Sequence, residues 1–373
     1  MQLNSKHIDI EKKQPYPLSV SQNTKIENEK CIGVWVSYID LDISKEQNTE
    51  LAFKNKFNNI IEKSKEFNVN NIFVHIRPHC DALYPSENFP WSHILTGTQG
   101  KNPNFDPLAY MIDLSHKNNI KFHAWINPFR VKSNTVPKEI SSDSPFYKFN
   151  EDKFIYHKDG ICFNPAYDDT QDIVIKGITE IVKNYDVDGI HFDDYFYPEP
   201  DNLTSEDIAF NNRQNKEISL IDWRKDNINK FIKKTYEEIK SINPKIEFGI
   251  SPPGNPEKCN LAGIDVNTLC SDGYIDYICP QIYWSIDYKK MPFEKTASLW
   301  KDMLKNSTVK LYGGLALYKI GTDLDEGTWK EDKTILLQEV SILKNLEYNG
   351  ILLYSWNYLN SPNEEIINLS RAL

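Results

Sequence analysis

Basic residues are in the minority: 43 Lys and Arg face 53 Asp and Glu, a net charge of −10 over 373 residues. No basic stripe offsets that excess, so nucleic acid is not an expected partner. No apolar run approaches the roughly 18 residues a membrane-spanning helix needs, and no span is predicted. The chain is polar from Met1 to Lys30, without the apolar h-region of a leader peptide. The six cysteines, at 31, 80, 162, 259, 270 and 279, show no CxxC spacing. Buried free thiols are expected, with Cys259 and Cys270 the one pairing left open. No GxGxxG or phosphate loop follows the first strand, which argues against an open nucleotide-binding sheet. HxH and HExxH are absent as well, so neither a catalytic metal nor a cofactor is predicted.

What the chain does carry is alternation. Strand patterns fall at 33–39, 71–78, 121–128, from 189, at 247–251, 277–284, 310–317 and 350–356. Helical spacing falls at 49–67, 106–118, 169–185, 219–241, 293–305, 332–345 and 362–371. Eight strands, nearly all separated by helices, predict a parallel (β/α)₈ TIM barrel with loop insertions, at 79–105 and near 130–160. One such domain is expected over 30–373, after an irregular segment over 1–29.

The most informative stretch is GIHFDDYFYP at 189–198. Ile190 and Phe192 alternate against Gly189 and His191, and the strand ends in Asp193 and Asp194 among Tyr195, Phe196 and Tyr197. Chemistry in such barrels collects at strand C-termini, where every second side chain points to the axis. Period 2 sends His191 and Asp193 inward, and Asp194 joins them only if the strand has already turned. The same rule selects Arg77, His79 and Asp81 on the second strand and His123, Trp125 and Asn127 on the third. It adds Gln281, Tyr283 and Trp284 on the sixth and Trp356 on the eighth. Each alone is as well explained by packing; together they predict a lined cleft.

Further motifs resemble the glycosyl hydrolase-like family 10, the YngK-like group of bacterial proteins. They are RP (77–78), DALY (81–84), PWS (90–92), LTG (95–97), FDPL (105–108) and HAWINP (123–128) with Arg130. FNP (163–165), the run 185–198, GISP (249–252) and PQIYW (280–284) extend the likeness over about 31–360. The resemblance implies a (β/α)₈ barrel acting on bacterial glycans. The fourth strand also resembles that of family 18 chitinases, whose acids fall on Asp188, His191, Asp193 and Tyr195. The acid-donor position there holds Tyr195 instead of Glu. Barrels of the α-galactosidase type use Gly-x-x-x-Asp with the Asp as nucleophile, which Gly189 and Asp193 resemble. Both comparisons select Asp193 and differ on its role.

Glycoside cleavage needs two carboxyls across the bond. Asp193 is the first; Asp194 is the expected partner, with Asp81 and Asp287 as alternatives. Arg77, His79, Asp81, His123, Asn127, His191 and Gln281 are expected to hold sugar hydroxyls or tune the acids. Trp125, Tyr195, Tyr197, Tyr283, Trp284 and Trp356 are expected to stack on sugar rings. The expected substrate is a bacterial amino-sugar polymer, peptidoglycan-type glycan strands foremost, N-deacetylated ones included. An exported or cell-envelope location is the expectation, with the leader outside this chain. Two other classes compete. A metal-dependent polysaccharide deacetylase would use His191, Asp193 and Asp194 with His75, His79 or His123 as ligands. A barrel that binds glycan without cleaving it would keep the aromatics and have no need of Asp193.

Overall fold

The computed structural model describes residues 30–198 and 204–373. The irregular segment expected over 1–29 lies outside them. Among the described residues there are eleven strands: β1 (Cys31–Val36), β2 (Asn71–Arg77), β3 (Lys121–Ile126), β4 (Arg130–Ser133), β5 (Phe154–His157), β6 (Gly160–Phe163), β7 (Gly189–Phe192), β8 (Glu247–Ile250), β9 (Tyr277–Ile278), β10 (Lys310–Ala316) and β11 (Gly350–Tyr354). Eight of them close into one parallel barrel, in the order β1, β2, β3, β7, β8, β9, β10, β11 and back to β1. The expected TIM barrel is therefore formed, although the sixth strand shrinks to Tyr277–Ile278. The remaining three form a small antiparallel sheet, β4–β6–β5, inside the insertion after β3.

Period-2 patterning builds two cores. Val34, Ile72, Val74, Phe122, Ala124, Ile190, Phe192, Phe248 and Ile250 face outward into the helix layer. Trp35, Phe73, Trp125, Tyr277, Tyr312 and Leu352 fill the barrel interior. Rings this large fit because Gly189 and Gly249 leave space. A Cβ at Gly189 would sit 2.1 Å from the His123 ring, and one at Gly249 2.3 Å from the Tyr277 ring. Helices cover the outside with their apolar stripes, as in Glu50–Lys65, which buries Phe53, Phe57, Ile60 and Ile61 behind a Thr49 N-cap. All six cysteines are free and buried, so Cys259 and Cys270 are not bridged.

The N-terminal rim of the barrel is sealed by one recurring device. The residue just before a strand accepts a backbone N–H from the neighbouring strand. Asn70 Oδ1 takes Ile32 N at 2.9 Å, Asp188 Oδ2 takes Phe122 N at 2.7 Å, Asp276 Oδ2 takes Phe248 N at 2.7 Å, and Asn349 Oδ1 takes Leu311 N at 2.8 Å. Asp188 also meets His116 Nε2 at 2.8 Å. The first acid of the chitinase-like pattern thus sits at the rim opposite the chemistry, where conserving the fold is the main task.

Candidate active site

A cleft of about 430 Å³ opens at the C-terminal mouth of the barrel. The turn just past β7 contributes Asp193, Asp194 and Tyr195. The walls come from Trp35 on β1 with Ser37 and Asp40 after it, Trp125 on β3, Ser251 after β8, and Gln281 and Tyr283 after β9. Tyr318, Tyr354, Ser355, Asn357 and Tyr358 complete it from β10 and β11.

Asp193 is almost wholly buried at its floor. Its Oδ2 accepts Trp125 Nε1 at 3.0 Å and Asn127 Nδ2 at 3.3 Å, and its Oδ1 accepts the Tyr195 amide at 3.2 Å. Burial, then the charge of Asp194, push its pKa up to about 7 against the opposing pull of Arg130 and these donors. Asp194 is raised as well, chiefly by burial, while Gln281 hydrogen bonding opposes the shift. The two acids titrate as a pair. Asp194 reaches the cleft because β7 ends at Phe192, so the strand has turned before it.

Trp125 is fixed from behind by His75, stacked on it at 3.8 Å and 9°. Arg130 donates its Nε to Pro78 O at 2.8 Å and lies 4.9 Å over the Tyr195 ring. Below the cleft runs a directional chain of hydrogen bonds. Trp35 Nε1 can only donate, so His191 Nε2 (3.0 Å) is the unprotonated nitrogen and Nδ1–H donates to Tyr277 Oη at 3.0 Å. Tyr277 meets His123 Nδ1 at 3.4 Å, and His123 Nε2 reaches Asn71 Oδ1 at 3.1 Å. Burial holds His191 well below, and His123 below, the usual imidazole range. Both are neutral packing groups of the barrel interior.

Of the residues selected from sequence, Asp193, Asp194, Trp125, Tyr195, Gln281 and Tyr283 line the cleft, and Asn127 touches it through Asp193. The others are placed elsewhere. His123 and His191 lie one layer down, as described. Arg77 is turned aside by a β-bulge between His75 and Arg77, and its guanidinium packs 4.3 Å over Phe89 beside Gly177. His79 and Asp81 are buried in the loop after β2, and Asp287 is exposed away from the lining. Tyr197 is drawn outward, its Oη accepting Asn227 Nδ2 at 3.0 Å with Arg224 4.8 Å over its ring. Trp284 packs beside Gly254. Trp356 turns into the hydrophobic core, although Ser355 and Asn357 on either side line the cleft. The ligand set of the deacetylase reading is not assembled, since both ring nitrogens of His191 are engaged within the barrel.

Asp40 was not selected, yet it lines the same cleft. It follows β1 on the short helix Tyr38–Leu41, and its Oδ2 accepts Ser37 N at 2.8 Å and Ser37 Oγ at 3.0 Å. Burial raises its pKa. An acid one residue past a strand at 33–39 was a usable signal, the same one that selected Asp193. Tyr318, Tyr354 and Tyr358 were also missed; they pack on Tyr283 and on one another as a tyrosine wall.

A closed parallel barrel with paired acids at its mouth, set in a wall of tyrosine and tryptophan, is a (β/α)₈ architecture of the kind glycoside hydrolases use. The chain belongs to the glycosyl hydrolase-like 10 family, whose model matches residues 31–331. It is 36% identical to glycosyl hydrolase YngK of Bacillus subtilis, over 88% of this chain and 68% of that protein. It is 32% identical to glycosyl hydrolase DigH of Escherichia coli K12, over 81% of this chain and 75% of that one. Among solved structures, the PgaB (BpsB) glycoside hydrolase domain from Bordetella bronchiseptica shares the fold. There the TM-score is 0.61 at 13% identity, covering 92% of this chain and 98% of that one.

Proposed function

We propose that this protein hydrolyses glycosidic bonds in a bacterial amino-sugar polymer, with peptidoglycan glycan strands as the first substrate to test. The observation that supports it most is the Asp193–Asp194 pair, which keeps a proton to near neutrality on the floor of an aromatic cleft. A carboxylic acid that stays protonated at neutral pH can protonate a leaving oxygen. Asp193 takes that role. Asp194 is the carboxylate that attacks or activates water, with Gln281 beside it. Asp40, on the β1 side of the cleft, is the second candidate partner. Asp194→Asn and Asp40→Asn separate the two: the true partner loses roughly 1,000-fold in kcat, and the other keeps activity within about tenfold.

The finer reading concerns the sugar. The cleft lining holds three acids and no lysine or arginine. A free ammonium is attracted there by charge complementarity. Tyr195, with a pKa raised further by burial, is a poor acid in the chitinase donor position. Catalysis then relies on protein carboxylates without the substrate's acetamide, and glucosamine is accepted, and preferred, over N-acetylglucosamine at the cut. Digesting purified glycan strands before and after N-deacetylation, with mass analysis of the products, tests both points. New reducing ends, more abundant from deacetylated strands, are expected. Release of acetate without chain cleavage would establish a deacetylase instead. Cleavage of acetylated strands alone would overturn the sugar preference.

A further inference from the structure

Outside the cleft, the loop after β2 gathers a second chemical group. His79 and Asp81 follow the end of β2, and His93 opens the short helix His93–Thr96. One donor atom from each of the three lies within 4.8 Å of the others. His93 Nδ1 is 3.3 Å from Asp81 Oδ2. Around one Zn²⁺, with bonds of about 2.0–2.2 Å to nitrogen and oxygen, neighbouring donors stand about 3.4 Å apart. That pair is already at such a spacing.

A second observation is independent of proximity. His79 is 1% exposed and neither of its ring nitrogens has a hydrogen-bond partner; Asp81 is wholly buried and its Oδ1 has none either. Buried polar groups left without partners are destabilising and rare unless something else satisfies them. The surroundings also orient the donors. Gln99 donates its Nε2 to Asp81 Oδ2 at 3.2 Å, and its Oε1 is held by the Ser141 amide at 2.9 Å. Such outer partners fix a ligating carboxylate. The Tyr38 and His79 rings meet edge to face, at 76° with centroids 5.2 Å apart.

We propose that His79, Asp81 and His93 form a binding site for one divalent transition-metal ion of the Zn²⁺ type, a two-imidazole, one-carboxylate set completed by water. None of the three lines the cleft. The ion is a staple for the loop: it ties the end of β2 to the helix at His93, across which Ala82 N already bonds Pro90 O at 2.9 Å and Ser92 N bonds Ala82 O at 2.9 Å. Glycan cleavage is not routed through it. Imidazole with carboxylate suits Zn²⁺ and its neighbours better than Ca²⁺ or Mg²⁺, which prefer oxygen alone.

The test uses the full chain free of any affinity tag, stripped with chelator and titrated with Zn²⁺ against a chromophoric competitor. One equivalent is expected to bind with sub-micromolar affinity and to raise Tm, and Co²⁺ is expected to give the visible bands of a low-coordinate site. His93 is partly exposed, so His93→Gln is expected to fold; it should lose Zn²⁺ affinity on the order of 100-fold together with the Co²⁺ bands. Asp193→Asn should bind as the wild type does. Ca²⁺ and Mg²⁺ should leave Tm unmoved. Failure of the folded wild type to hold Zn²⁺ more tightly than about millimolar would overturn the site. So would equal binding by His93→Gln, which would leave a plain His93–Asp81 hydrogen bond.

Discussion

Asp193 keeps three donors on its carboxylate and still holds its proton to near neutrality, because burial and the Asp194 charge outweigh them. Two consequences follow for pH. Activity that needs this proton falls as pH rises through about 7, which a kcat/KM profile reads directly. Stability moves the same way. The unfolded chain releases the proton near the ordinary aspartate value of 3.8 while the folded residue keeps it to about 7, so the native state loses stability relative to the unfolded chain as pH rises from about 4 to about 7. The Tm difference between Asp193→Asn and the wild type should therefore shift in the variant's favour by roughly 6 °C across that window. A constant difference would contradict the burial. Trp125→Phe keeps the ring on His75 and removes the donor to Oδ2, which favours the ionised form. Its alkaline limb should move to higher pH, with a loss in kcat of about tenfold; an unmoved limb would mean that this hydrogen bond does not tune the acid. At this scale the sequence was informative for Asp193 and Trp125, whose inward direction follows from period 2. It was silent on Trp356, since nothing local distinguishes a ring turned to the core from one turned to the cleft.

The elements explain where that rule held and where it failed. β3 and β7 are regular, and alternation put Trp125, His191 and Asp193 on the axis side as read. β2 carries a bulge, and one extra residue sends Arg77 to the outer side. Beyond β7, Tyr197 follows Arg224, whose buried bidentate pair with Glu206 (2.5 and 2.6 Å) ties helix Thr204–Asn211 to helix Leu220–Ile242. Non-local contacts of this kind leave no periodic trace. The small sheet β4–β6–β5 was read only as an insertion, because its strands are four residues each. The rim caps lie at the other end of the same strands. Asp188→Ala removes the acceptor of Phe122 N and the partner of His116, and should lower stability by about 1–3 kcal/mol with kcat unchanged. Denaturant melts beside turnover measurements check this, and a large fall in kcat in a stable variant would assign Asp188 to the chemistry.

For the whole molecule, eight strands and their helices were legible because each strand of a parallel barrel is buried on both faces and each helix on one. Closure, register and the choice of mouth residues were less so, as they depend on eight strands meeting at once. That convergence brings Asp40 from β1 opposite residues of β7, a juxtaposition no local motif reports. Within the described residues no helix is long and apolar enough to cross a membrane. We propose that a carboxyl group, Asp193, performs the cleavage. It is tested most directly by reducing-end release from purified glycan strands by wild type and by Asp193→Asn, with circular dichroism to verify that the variant is folded. The substitution preserves size and removes both charge and proton. Wild-type release should fall by roughly 1,000-fold or more in the folded variant, whereas release within about tenfold of wild type would show that Asp193 does not carry the reaction.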